Sequence, residues 1–157
     1  VGLDLGASSK AFAQLKDCGF KIILVPLAVI LGSILGGLAV SMFWRGAVWN
    51  EMAAVASGFG WYSLSSVLIA EVHSPLLGAV AFLANVFREL IAIIVTPLVA
   101  RWLGPIPSLG AAGATAMDVL LPVVAKGVGR EYVPLAFFSG AVLSLSVALF
   151  VQVFLLF

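Results

Sequence analysis

The chain has 157 residues, of which 63% are hydrophobic and only 10% charged, and its mean hydropathy is +1.23. Ordinary soluble domains carry about 25% charged residues, so this surplus of apolar surface excludes a water-soluble globule and must face lipid. The net charge of +1 offers nothing to nucleic acid. The apolar runs are continuous rather than alternating, which favours helices over a barrel. The expectation is an all-α, polytopic transmembrane bundle, a single domain over residues 1–157 with about five membrane segments, two of them interrupted.

Val1 to Gly6 read as the tail of an apolar segment, and the chain opens without Met. This predicts the C-terminal part of a longer or split protein, or a trimmed one. Cys18 is the single cysteine and cannot form a disulfide within the chain, so it reads as an inert thiol near a helix start. The first clear span is Phe20 to Trp44, where Gly32 and Gly36 form a GxxxG pair suited to close helix packing.

The second run is Met52 to Ala70, with Glu51 and Glu71 at its ends. At its middle stands Ser57-Gly58-Phe59-Gly60-Trp61-Tyr62-Ser63-Leu64-Ser65-Ser66. Two glycines at the midpoint predict a break, and backbone freed at this depth needs protein or a watery cavity beside it. The competing reading is a helix whose serines bond back to their own carbonyls.

The third span, Leu76 to Ala100, places Arg88 and Glu89 at its midpoint, with Asn85 on the same face. Ala81, Ala92 and Thr96 extend that face with small groups, while the opposite positions are Leu, Ile, Val and Phe. A turn at Gly104-Pro105-Ile106-Pro107 leads to a short run, Ala111 to Ala125. As ideal helix it spans roughly 22 Å against a core of about 30 Å. Gly113 and Pro122 weaken it, and Asp118 sits at its centre. It reads as a half-helix preceded by extended backbone, the pattern that marks midplane sites in transporters. Val133 to Phe157 is the last span. Trp44, Trp49 and Trp102 fall near span ends, as interfacial anchors do, and His73 reads as a surface loop residue.

If all five segments cross, Lys10, Lys16, Lys21, Lys126 and Arg130 share one side, while Arg45 and Arg101 share the other. That balance makes the first side cytoplasmic and puts Phe157 outside. Both interrupted segments then run outside to inside, so they form no inverted pair, and no internal repeat is visible.

Each charge at hydrocarbon depth costs about 2.5–3.5 kcal/mol on insertion scales, so three approach a typical folding stability. A pair of Arg88 with Glu89 or with Asp118 that only holds helices together is one account. Apolar residues do that job as well, which favours a ligand. Two carboxylates against one guanidinium leave a net negative charge for a cationic solute or a proton. No Cys/His cluster suggests a metal, and no Ser/His/Asp set or phosphate loop suggests an enzyme or a cofactor.

Three strings carry a family resemblance. They are Ala56-Ser57-Gly58-Phe59-Gly60-Trp61-Tyr62-Ser63-Leu64-Ser65, then Arg88-Glu89-Leu90-Ile91-Ala92-Ile93, then Gly113-Ala114-Thr115-Ala116-Met117-Asp118. In order and spacing they resemble the signatures of the bacterial and archaeal lysine exporter (LysO-type) family, departing at Ser66, where Gly is expected, and at Ala116, where Ser is. The resemblance implies export of L-lysine and thialysine across the inner membrane. It also implies about three preceding spans, an N-terminal half in the same or a separate chain, and an outward C-terminus; a homodimer is compatible with it. A proton antiporter of this kind would use Glu89 and Asp118 for the ammonium groups or the counter-proton. Arg88 would bind the substrate carboxylate or hold one acid, and Asn85, Ser57, Tyr62, Ser65 and Thr115 would orient the solute. Transport of another solute coupled to Na⁺ or a different cation, and a non-transporting scaffold subunit, are the rival expectations.

Overall fold

The computed structural model describes residues 19–44, 46 and 48–157. Its helices, in chain order, are α1 (Lys21–Phe43), α2 (Trp49–Ala56), α3 (Tyr62–Val72), α4 (Pro75–Leu103), α5 (Pro105–Ala112), α6 (Leu121–Gly127) and α7 (Val133–Leu155). Short 3₁₀ turns at Gly113–Met117 and Arg130–Tyr132 precede α6 and α7. Expectations that rest on Val1 to Gly6, Lys10, Lys16, Cys18 and Arg45 lie outside the described residues.

Three stretches, Ile22–Phe43, Pro75–Leu103 and Arg130–Leu155, are long and apolar enough to cross a bilayer. The arms α2, α3, α5 and α6 have 8, 11, 8 and 7 residues. At 1.5 Å per residue even the longest reaches only about 16 Å, half of the core. The contacts show where each pair of arms goes. His73, just past α3, places Nε2 3.2 Å from Oε1 of Glu51 at the start of α2. A β-carbon added to Gly78, in the first turn of α4, would stand 2.8 Å from the Ser66 carbonyl oxygen. Thus α2 enters and α3 returns to the same end. The second pair does likewise from the opposite end. It starts one residue after α4, and Gly127 at its finish faces Pro97, where a β-carbon would lie 2.9 Å from the proline's own.

Among the described residues the membrane segments number five, three of them long and apolar enough to cross and two folded as re-entrant hairpins. The condition that all five segments cross is therefore not met, because Met52 to Ala70 and Ala111 to Ala125 each turn back. The parity that rested on that condition changes with it. Arg101 lies at the end that holds Lys126 and Arg130, not opposite them. The two hairpins point toward each other, so α1 with α2–α3 and α4 with α5–α6 form an inverted pair, the architecture of many secondary transporters. The second hairpin also begins earlier than expected. Its first arm is helix from Pro105, not extended backbone, because prolines in a helix's first turn remove N–H groups that had no partner there.

Packing follows the small residues. Gly37 of α1 lies against α2, where a β-carbon would sit 2.7 Å from the Met52 carbonyl oxygen and 2.8 Å from Ala56 Cβ. Gly32 and Gly36, read as the close-packing pair, have nothing within 4 Å of an added β-carbon among the described residues. Gly140 lets α7 press on the second hairpin's tip, 2.8 Å from the Ala114 carbonyl oxygen by the same measure. Two apolar cores result. One joins Val29, Val55, Phe59, Ile69, Leu77, Ala114 and Val147; the other joins Val25, Leu109, Leu120, Val124 and Leu135. Helix α4 buries Ala81, Asn85, Ala92 and Thr96 and turns Leu83, Leu90, Ile91 and Ile94 outward, as its stripe predicts. Trp44, Trp49 and Trp102 are exposed at helix ends.

Candidate functional site

The hairpin tips meet at the level of Arg88. In the first tip α2 stops at Ala56, and the chain turns through Gly58, Phe59 and Gly60 before α3 begins at Tyr62. Phe59 has φ +48 and Gly60 has φ +103. A left-handed phenylalanine costs on the order of 1–3 kcal/mol. Its ring is fully buried and sits edge-on to Phe150 at 6.1 Å, which holds the conformation. In the second tip Gly113 takes φ +63 with ψ −145, a region essentially reserved for glycine.

The Phe59 carbonyl is the meeting point. It accepts from Arg88 Nη1 at 2.6 Å and from the Ala114 N–H at 2.9 Å. The guanidinium lies over Gly60 and Gly113, filling the space a β-carbon would take at either. One turn earlier Asn85 is buried. Its Oδ1 accepts from the Gly60 N–H at 2.8 Å, and its Nδ2 donates to the Val55 carbonyl at 3.1 Å and the Ala81 carbonyl at 3.0 Å. All the hydrogen-bonding groups of this amide are thus committed to holding the first tip against α4.

Beside the tips is a cavity of about 150 Å³. Glu89 and Asp118 line it, with Gly60, Trp61, Tyr62, Ser63, Ala114, Thr115, Met117, Val119 and Ser144. Glu89 is half-buried and Asp118 exposed. One Asp118 oxygen accepts from the Val119 N–H at 2.6 Å. Among the described residues neither acid has a cationic partner, and the acid that meets a nitrogen side chain is Glu51, 3.2 Å from His73 Nε2.

The eight residues singled out from the sequence therefore divide. Glu89, Asp118, Tyr62 and Thr115 line the cavity. Arg88 and Asn85 do not; they border a larger groove on another face of α4. Successive helix positions differ by about 100°, which is how Arg88 and Glu89 point to different compartments. Ser57 and Ser65 are buried and donate back to Ala53 and Trp61, and Thr115 donates to Ala112. The back-bonded serines and the broken helix, set as rival readings of the aromatic-serine string, both occur. Ser144 of α7 was missed. It donates to the Met117 sulfur at 3.6 Å, and its signal was the serines at 139, 144 and 146 in an otherwise apolar span.

A family model described as lysine exporter LysO matches residues 1–155. Lysine exporter LysO of Escherichia coli (strain K12) is 40% identical over 154 residues, covering 98% of this chain and 50% of that protein. A putative lysine exporter of Haemophilus influenzae is 36% identical over 115 residues, covering 73% of this chain and 58% of that protein. The chain spans about half the length of the curated relatives it matches. No solved structure matches it. With the family model matching almost end to end, the chain belongs to the LysO family of lysine exporters.

Proposed function

We propose that the chain forms the solute-binding core of an inner-membrane exporter of L-lysine, and of its sulfur analogue thialysine, working by proton antiport. The observation that carries this reading is the pair of carboxylates, Glu89 and Asp118, on one cavity where two opposed hairpins meet. Lysine brings two ammonium groups, and two acids without a cationic partner among the described residues suit them. Between turnovers a proton can replace the cation on the same carboxylates. Moving one positive charge outward against 100 mV costs about 2.3 kcal/mol, and one returning proton removes that cost. Tyr62 and Ser63 border the cavity and orient the solute, while Thr115 and Ser144, whose hydroxyl protons are engaged within the protein, can only accept from it. In this reading Arg88 positions the tips rather than holding the substrate carboxylate, because its guanidinium is bound to Phe59 on the groove side.

Arg101, Lys126 and Arg130 belong to the end where α1 starts, and Glu51 and Glu71 to the other. The positive-inside bias makes the first end cytoplasmic. The α5–α6 hairpin then opens inward, α2–α3 opens outward, and Phe157 is outside.

The test is lysine-dependent proton flux in inverted vesicles carrying the complete transporter. Glu89→Gln and Asp118→Asn should each lower flux at least ~10-fold, a barrier change of about 1.4 kcal/mol. Full flux in both variants removes the site assignment. Export that follows an imposed sodium gradient but not a pH gradient removes the antiport reading.

A further inference from the structure

Between α1 and α4, on the Arg88 side of α4, runs an open groove of about 850 Å³. One wall is the small-residue stripe Gly32, Ser33 and Gly36 of α1. A β-carbon at Gly32 or Gly36 would meet nothing within 4 Å among the described residues. Gly37, one position on, is packed hard against α2. Helix α1 therefore carries two small-residue faces, and one of them is empty among the described residues. Stripes of this kind let a second helix approach closely.

The floor of the groove is an independent observation. Asn85 and Arg88 border it halfway along α4. The Asn85 amide is saturated, as described above. The guanidinium is not: it has five N–H donors, and among the described residues its hydrogen bond is the one from Nη1 to the Phe59 carbonyl. A guanidinium facing lipid tails at this depth costs at least about 2.5–3.5 kcal/mol, so the groove is covered by protein or filled by water. Its apolar side walls, Val40, Leu77 and Val80, favour protein. The relatives supply the source of that protein, since the chain matches only 50% and 58% of their lengths.

We infer that the groove seats a transmembrane helix from the half of the transporter that this chain does not span. That helix packs small residues on Gly32 and Gly36. At the level of Arg88 it presents a hydrogen-bond acceptor, a carboxylate or a freed carbonyl, to the remaining guanidinium donors. The cross-linking and labelling results do not depend on which solute is carried; the export result rests on the proposed function.

The experiment uses the complete transporter in native membranes, with Cys18→Ser and Gly36→Cys. Single cysteines are placed along each helix of the remaining half. The expected result is a disulfide from Gly36→Cys to positions spaced three and four apart on one helix, within the chain or to a separate subunit. The same thiol should resist a membrane-impermeant maleimide, and Gly36→Leu should cut lysine export at least ~10-fold. Labelling by the impermeant reagent shows a water-filled path and overturns the inference. A disulfide between two Gly36→Cys copies puts a second copy in the groove and overturns it too. Full export by Gly36→Leu, with no disulfide to the remaining half, shows a lipid-facing groove and has the same effect.

Discussion

The two hairpins are one backbone device turned over, yet their tips are chemically unlike. In the α2–α3 tip the polar groups are spent. The Phe59 carbonyl takes two donors, Asn85 holds the Gly60 N–H and the Val55 carbonyl, and Ser57 and Ser65 bond back to their own turns. In the α5–α6 tip Thr115 donates back to its own turn, but Asp118 is exposed, and among the described residues its side chain accepts only from the neighbouring Val119 N–H. One tip is an anchor and the other carries a carboxylate without a cationic partner among the described residues. In the proposed reading the inverted pair supplies opposed entrances through its symmetry and a binding site through its asymmetry. Alternating access in such folds needs one element to stay fixed while another changes partners.

The sharpest way to break this comparison is to remove the junction of the tips. Gly113→Ala forces a β-carbon into the Arg88 guanidinium at a backbone geometry that alanine avoids. The strain is about 1–3 kcal/mol, and displacing a charged donor from the Phe59 carbonyl adds about 1.5–3 kcal/mol. A total near 4 kcal/mol should appear as a large fall in melting temperature of the detergent-solubilised transporter. Gly110→Ala is the control. Its β-carbon meets Val29 Cγ2 at an ordinary 4.0 Å and should leave the melt unchanged. Equal effects from the two variants would mean that the tips are not joined through Arg88.

A smaller effect separates the anchor from its counterpart. Asn85→Leu keeps the volume but orphans the buried Gly60 N–H, at a cost of about 1–3 kcal/mol. Thr115→Val removes a back-bond within one turn and should cost about 0.6 kcal/mol or less. Urea or thermal unfolding of both variants gives the ratio. A Thr115→Val loss as large as that of Asn85→Leu would make the second tip an anchor as well.

Much of this was legible in the chain. The boundaries of α1, α4 and α7 fall within a few residues of the apolar runs, because continuous hydrophobicity flanked by charge has few alternatives in lipid. Gly58, Gly60 and Gly113 marked the breaks, because a glycine at the midplane weakens a helix wherever it stands. Direction was not legible. A broken span and a hairpin of two half-helices have the same composition and length. What distinguishes them is the backbone path at Phe59, Gly60 and Gly113 and the contacts at the hairpin mouths. The division of Arg88 from Glu89 was hidden for a related reason. Two adjacent charges look like one polar site until the elements packed on either side of α4 are known. Ser144 was passed over because α7 reads as a plain span.

The mouths of the hairpins give the finest contrast and the smallest expected effect. The α5–α6 mouth closes by packing, with Gly127 against Pro97. The α2–α3 mouth closes by the contact of His73 Nε2 with Glu51 Oε1, and the Glu51 and His73 side chains are 23% and 37% exposed. Exposed pairs contribute about 0–1 kcal/mol and are screened by salt. A double-mutant cycle with Glu51→Gln and His73→Ala should therefore give a coupling below ~1 kcal/mol that fades in high salt. Gly127→Ala pushes a methyl group into the Pro97 ring, and overpacking of that kind costs about 1–3 kcal/mol at any salt concentration. The first mouth is then the looser of the two, although its tip is the tighter. Such a hairpin would open at its entrance while its tip stays pinned to α4. A coupling above ~2 kcal/mol for Glu51 and His73 would reverse that order and make α2–α3 a rigid unit from mouth to tip.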